Sequence, residues 1–275
     1  MGNASTASAG PSGLLKIEQN GAVLTVGLNR PAKRNALNDG IILAIQDCFS
    51  NLPDDVGAVV IHGVGDHFSS GLDLSELTEH DATEGLRHSQ MWHRVFDRIQ
   101  YSRVPVIAAL RGAVIGGGLE LACAAHIRVA EPSAYFALPE GQRGIFVGGG
   151  GSVRVPRLIG AARMADMMLT GRVLNAEEGL AIGLSQYLVE PGDGLAKAMG
   201  LAKKVAANAP LSNFAVMHAL PRIADQSQAD GLFTESLMAA IAQGDDGAKI
   251  RMKAFLEGKA PKVKHVAAKK AGKKK

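Results

Sequence analysis

The chain has 275 residues, 47% of them hydrophobic, and a formal net charge of +4, enough to bury a full core in one large domain or in a large and a small one. No apolar run approaches the roughly 18 residues that cross a bilayer, which excludes a membrane-spanning class. Eight lysines fall between 259 and 275 with no acid among them; they carry twice the chain's net charge, so the body ahead of them is acidic.

Residues 1–13 are small, polar and uncharged and read as a disordered tail. Gly2 and Thr6 fit the short myristoylation pattern, and the stretch lacks both the apolar core of a signal peptide and the arginines of a transit peptide. Residues 14–28 read as two strands around Asn20-Gly21, a hairpin signal. Asn38 or Asp39 caps a helix over 40–51, where Ile42, Leu43, Ile45 and Phe49 recur at helical spacing. Ala58–His62 is a buried-type strand followed by a glycine-punctuated loop. Residues 84–101 form an amphipathic helix with Trp92, Val95, Phe96 and Ile99 on one side. Pro105–Leu110 is an apolar strand running into three glycines, and 127–130 and 135–137 are short strands. Helices follow at 151–160, 162–170 and 176–182, then a strand at 185–189. From 194 strand signals vanish, and helices are expected near 194–208, 210–221, 228–243 and 245–257. A mixed α/β body thus precedes a helical section too small for a core of its own, which must pack on the body or on another subunit. The lysine-rich end, 259–275, reads as a solvated extension. Polyanion attraction is the alternative, but no aromatic residue interleaves with the lysines as base stacking requires, so no nucleic-acid partner is expected.

The chemistry concentrates in a few places. Gly116-Gly117-Gly118 lacks the spacing of a dinucleotide fingerprint and the lysine of a phosphate loop. A strand feeding glycines into a helix leaves N–H groups free at the positive end of the helix dipole; by themselves such glycines read as a tight turn. Glu120 alters that reading, because Leu-Glu-Leu-Ala encloses it and a buried glutamate needs a partner or a task. Glu140, on a Pro-Glu turn, gives a weaker local signal. Gly148–Gly151 lets a backbone approach a ligand closely. The loop His67–Leu74 also follows a strand and presents another N–H, with Asp73 reading as a cap. The eight histidines show no metal-ligand spacing, and no nucleophile elbow or Cys/His pair occurs. Cys48 and Cys123 read as buried free thiols of a reducing compartment, and a cytoplasmic location is expected.

In order along the chain, Leu28-Asn29-Arg30-Pro31 with Lys33 and Asn35–Asn38, Phe68–Leu74, Pro105–Ala122, Pro139-Glu140 through Gly151, and Ala254–Lys259 resemble the enoyl-CoA hydratase/isomerase (crotonase) superfamily over 14–258. The resemblance implies a spiral of ββα units over 14–193, a helical trimerisation region over 194–258, and trimers or dimers of trimers. It implies an acyl-CoA ligand, no separate cofactor and no metal. The thioester carbonyl would be held by the backbone N–H groups of Leu72 and Gly117, with Glu120 and Glu140 flanking a water. Arg30, Lys33, Ser70, Gly71, Asp73, Leu74, Gly116, Gly148, Phe255 and Lys259 would contact CoA or substrate. This chain departs from the family pattern at His126 (usually aspartate), Val147 (commonly proline) and Ser69-Ser70 (usually a small apolar or cysteine pair).

Possession of both glutamates implies hydration of a 2-enoyl-CoA, Glu120 helping activate water for C3 and Glu140 delivering the proton to C2. The alternatives are a Δ3,Δ2-enoyl-CoA isomerase, another crotonase-type acyl-CoA enzyme such as a hydratase-lyase on aromatic acyl groups, and, in a different class, a non-catalytic CoA- or RNA-binding homologue.

Overall fold

The computed structural model describes residues 6–9, 13–76 and 81–259, the side chains of 6–9 and 76 excepted. Gly2 of the acylation pattern and all but the first residue of the lysine-rich end lie outside these residues. The chain divides into two compact units, 1–218 and 219–275.

Seven strands of the first unit form one sheet in the order β1(Thr6–Ala9)-β2(Leu15–Asn20)-β3(Val23–Leu28)-β4(Ala58–Gly63)-β5(Val106–Leu110)-β7(Ile127–Ala130)-β10(Tyr187–Leu188). β2 and β3 make the hairpin, closed by Gly21 at φ +59° with Asn20 opposite Val23. From β3 onward every pairing is parallel. Such strands are buried on both faces and read as continuous apolar runs, as Ala58–Ile61 and Val106–Leu110 do. Composition suggested disorder at Thr6–Ala9, but this stretch lies antiparallel to β2. A ladder on an open sheet edge needs only main-chain groups, which composition does not register.

A second sheet has the order β6(Ala113–Ile115)-β8(Tyr135–Ala137)-β9(Leu174–Asn175); the sequence anticipates its central strand at 135–137 but neither of the flanking strands. Its first strand follows β5 after a single turn in which Gly112 adopts φ +53°. Two isolated parallel bridges, Leu37 with Leu72 and Ser69 with Val114, extend this layer. Each turn of the chain thus lays one strand in the large sheet and one short segment beside the neighbouring turn: β3 then Leu37, β4 then Ser69–Leu72, β5 then β6, β7 then β8. This winding is the spiral that the ββα reading anticipates.

The helices fill the faces. α1(Asp39–Ser50) is capped by Asn38, whose Oδ1 accepts from Ile41 N at 3.1 Å. α2(Ala82–Gln100) begins in an Asp81/Glu84 capping box and buries Trp92, Val95, Phe96 and Ile99; a box of this kind is worth about 1 kcal/mol. α3(Gly117–Ala124), buried throughout, joins the same core, as do α4(Gly151–Ile159), α5(Ala161–Thr170) and α6(Ala176–Ile182). α7(Gly194–Ala206) covers the other face of the large sheet, setting Ala198 and Ala202 against Val60, Ile107 and Val129. The first unit therefore runs past 193, the end drawn for the core from the loss of strand signals, because this helix packs on the sheet. The run expected as one helix over 210–221 is a helix Pro210–Phe214, a π turn Ala215–Ala219 and a helix Leu220–Ala224. Pro221 has no N–H to continue the ladder.

In the second unit, helices Gln228–Gly244 and Asp246–Leu256 leave Leu232, Phe233, Leu237, Ile241, Ile250 and Phe255 exposed. Among the described residues no helix is long and apolar enough to cross a membrane, and no group of three His, Cys, Asp or Glu side chains could hold a metal.

Candidate active site

Two loops after successive spiral turns meet at the cavity. In the first, the bridge to Leu37 uses Gly71 O and Asp73 N, both at 2.8 Å, so the N–H of Leu72 between them points away from the bridge. Ser69 ties this loop down, its hydroxyl donating to Asn35 O at 2.8 Å and accepting from Gly71 N at 3.2 Å. In the second, Gly116 takes φ +52° and ψ −125°, a region closed to side chains, and Gly117 becomes the first helical residue with no carbonyl one turn back to receive its N–H. Neither N–H donates to another described residue. A Cβ built on Gly117 would stand 3.6 Å from Leu72 N and 2.9 Å from the Trp92 ring. The two donors are neighbours, and the indole closes the space beside them.

Glu120, one helical turn into α3, is 3% exposed. Its Oε1 accepts from Gly149 N at 2.8 Å and Gly151 N at 2.7 Å. Burial raises its pKa, opposed by these N–H groups and the charge of Arg154. The glycines are required: a Cβ at Gly151 would lie 2.8 Å from Glu120 Cγ, and one at Gly149 would lie 2.9 Å from Phe96. Glu140 follows β8 and is 7% exposed. Its Oε2 is buried without a hydrogen-bond partner among the described residues. Burial, reinforced by the charge of Glu120, pushes its pKa to about 7, against the pull of its own main-chain N–H and Arg143. Such a carboxyl carries a proton near neutrality and can release it.

Glu120, Glu140, Leu72, Gly117, Ser70, Gly71, Leu74, Gly116 and Gly148 all line one cavity of about 380 Å³. Lys33 and Asp73 line an adjoining recess of about 390 Å³ that shares Ser70, Leu72 and Leu74 with it. Arg30 lines neither: its guanidinium sits 2.8 Å from Asp73 and donates to Ala36 O at 2.8 Å. Asp73, 6% exposed, binds Arg30, Lys33 (3.1 Å) and Ser75 (2.6 Å). The Ser75 hydroxyl, then the two cations, hold its pKa well below the usual carboxylate range. Asp73 is therefore the strut that fixes the basic turn. Phe255 and Lys259 belong to the second unit, where Phe255 is exposed and Lys259 Nζ lies 2.7 Å from Glu257.

The three departures resolve differently. His126 clips the start of β5 to the end of α2: Nδ1 accepts from Val106 N at 3.0 Å and Nε2 faces Gln100 O at 3.1 Å. Burial drops its pKa to about 4, so the ring is neutral and structural. Val147 is buried and lines the cavity. Ser69 anchors the loop as described, and Ser70 faces the cavity.

Sequence reasoning missed one wall. Gly85, His88, Ser89 and Trp92 line the cavity from α2, a spacing of i, i+3, i+4 and i+7 that marks one helical face and that the apolar stripe beside it obscured. Ser89 Oγ donates to Gly148 O at 2.7 Å, and Trp92 Nε1 donates to His88 Nε2 at 3.2 Å. Also missed were Arg34 and Arg143 on the adjoining recess, whose side chains make no hydrogen bond or ion pair with described residues, and Arg154 behind the glycine loop. Of the two cysteines, Cys123 is buried and Cys48 only half-buried, and both are free.

Comparison with known proteins agrees with this geometry. The enoyl-CoA hydratase/isomerase family model matches residues 18–265. A short-chain-enoyl-CoA hydratase of Clostridium acetobutylicum is 36% identical over 199 residues, 71% of this chain and 76% of that one. A Rhodopseudomonas palustris crystal structure provisionally named enoyl-CoA hydratase superposes with a TM-score of 0.89 at 67% identity, covering 92% of this chain and 98% of that one. An enoyl-CoA hydratase structure from Bacillus anthracis gives 0.84 at 27% identity, covering 90% and 98%.

Proposed function

The chain belongs to the enoyl-CoA hydratase/isomerase family, and on that premise we propose that it is an enoyl-CoA hydratase, adding water to a 2-enoyl-CoA to give a 3-hydroxyacyl-CoA. The observation that carries the reading is the convergence on one cavity of two buried glutamates and two main-chain N–H groups that have no acceptor among the described residues. Attack of water at C3 of a conjugated thioester moves negative charge onto the thioester oxygen. Leu72 N–H and Gly117 N–H receive that oxygen; one such donor contributes roughly 3–4 kcal/mol to barrier lowering. Glu120 accepts two N–H bonds on one oxygen, leaving Oε2 to take a proton from the attacking water. Glu140, with a pKa of about 7, gives its proton to C2. The acyl carrier is part of the substrate, so the reaction needs no further cofactor.

CoA extends from the thioester into the recess beside Lys33, where Arg34 and Arg143 offer guanidinium groups to its phosphates. The exposed apolar side chains of Gln228–Gly244 support assembly into trimers or dimers of trimers, the two free thiols support a cytoplasmic location, and a 3-hydroxyacyl-CoA product fits a role in acyl-CoA breakdown of the β-oxidation kind.

Incubation with crotonyl-CoA tests the reading: the conjugated-thioester absorbance should fall as 3-hydroxybutyryl-CoA forms. A protein that only shifts the double bond of a 3-enoyl-CoA, without net uptake of water, would instead be the isomerase. No turnover of any enoyl-CoA would leave a binding protein.

A further inference from the structure

We propose that Arg154 is a positioning residue of this site: its guanidinium locks the Gly149–Gly151 loop so that two main-chain N–H groups stay trained on one oxygen of Glu120. The loop is wound between two charges. On its inner side Gly149 N and Gly151 N converge on Glu120 Oε1 at 2.8 and 2.7 Å, an anion-binding concavity of successive N–H groups. On its outer side Arg154 Nη1 donates to Gly149 O, the carbonyl between those two donors, at 3.0 Å. Gly150 bends the chain at φ +94°, and a Cβ there would lie 2.2 Å from that same Nη1, so guanidinium and loop are fitted to each other.

The guanidinium cannot easily swing away. It is 8% exposed and forked onto the last turns of α2, with Nε donating to Gln100 Oε1 at 2.6 Å and Nη2 to Asp97 Oδ1 at 2.5 Å. α2 also supplies the Trp92 wall, so one side chain ties that wall to the loop that holds Glu120. The charges facing Glu120 are Arg154 with its partner Asp97 behind the loop and Glu140 across the cavity. Cys123 on its own helix has a thiol that burial pushes to about 11, and it stays neutral. Arg154 is therefore the cation that, with the loop N–H groups, opposes the cost of burying a charged Glu120, which favours Glu120 as the base and Glu140 as the acid.

The consequence for rate rests on the hydratase reading; the consequence for Glu120 does not, and the experiment separates them. Glutamate-¹³C and glycine-¹⁵N labelled full-length protein is titrated by NMR as wild type, Arg154→Gln and Arg154→Lys, with Glu120→Gln assigning the carboxyl signal. We expect the Glu120 midpoint to rise by about one to two pH units in Arg154→Gln and to stay near wild type in Arg154→Lys. The Gly149 and Gly151 amide signals should shift in both variants as the fork is lost. With crotonyl-CoA, kcat should fall about 100-fold in Arg154→Gln with KM little changed. Should Arg154→Gln not fold, a shift of the two amide signals in folded Arg154→Lys upholds the proposal and unshifted signals overturn it. A Glu120 midpoint unchanged in folded Arg154→Gln overturns it as well. A wild type that hydrates nothing would refute the hydratase reading and leave the NMR result to decide the role of Arg154.

Discussion

Glu120 and Glu140 face the same cavity but are held by opposite means: Oε1 of Glu120 receives two main-chain N–H groups, whereas Oε2 of Glu140 is buried with no donor among the described residues. Like charges across a small cavity are not both favoured, and the unsupported member is the one that keeps its proton. For the hydratase reading proposed above, the asymmetry favours Glu120 as the base and Glu140 as the acid.

The first prediction concerns pH. Hydration needs Glu140 protonated, so kcat/KM should decline as pH rises through about 7, the pKa of Glu140. Bound substrate removes water from the cavity and raises that value further, so the decline in kcat should begin at higher pH than the decline in kcat/KM. Rate measurements between about pH 5 and 9 check both limbs.

The same group should cost stability. Its folded pKa lies above the 4.5 of a free side chain, so the native state binds the proton more tightly than the unfolded chain and loses that advantage as pH rises from 4.5 through 7. Above that window the buried anion is a burden of about 3 kcal/mol. Glu140→Gln should therefore raise Tm at about pH 8 and change it little near pH 4, while removing activity. Thermal melts at the two pH values decide it.

Gly116→Ala attacks geometry without touching charge. The new Cβ would meet Glu140 Oε1 at 2.7 Å in a backbone at φ +52°, so strain of about 1–3 kcal/mol is expected. The displaced acid should lower kcat by about 100-fold. Wild-type kcat in this variant would contradict the placement of Glu140 beside the glycine turn.

Asp73→Asn should loosen the basic turn. Removing the anion breaks a largely buried ion pair with Arg30 and a second pair with Lys33, at about 3 kcal/mol at neutral pH. Because pairing depresses the folded pKa of Asp73, that contribution is present above the unfolded value and lost as pH falls. The stability gap to wild type, measured by urea melts, should thus narrow below about pH 4.

Arg143→Gln should raise KM for crotonyl-CoA by about tenfold through loss of a phosphate contact, and the KM of wild type should be more sensitive to salt than that of the variant. The lost charge also relaxes its downward pull on Glu140, so the alkaline limb should move up. An unchanged limb would place the guanidinium too far away to act.

Much of the site was legible because its chemistry demands unusual local sequence. A glutamate enclosed by Leu119 and Leu121 is hard to explain otherwise, and beside it the glycines at 116–118 and 148–151 cease to read as ordinary turns. What stayed hidden arises between elements. β6 is three residues long and gains its place only by pairing with β8. Ser89 and His88 look like polar surface of an amphipathic helix until the Gly148 loop covers them. Arg154 resembles any helix arginine until Asp97, fifty-seven residues earlier, meets it. Glu140 looks like turn surface, and only the packing around it strips water from its carboxyl.

The most direct test of the account is hydration of crotonyl-CoA in deuterated water by wild type and Glu140→Gln, with deuterium at C2 of the product read by mass spectrometry. Wild type should yield 3-hydroxybutyryl-CoA carrying one solvent deuterium at C2, and Glu140→Gln should be slower by about 10³-fold. A variant that labels C2 at the wild-type rate would contradict it.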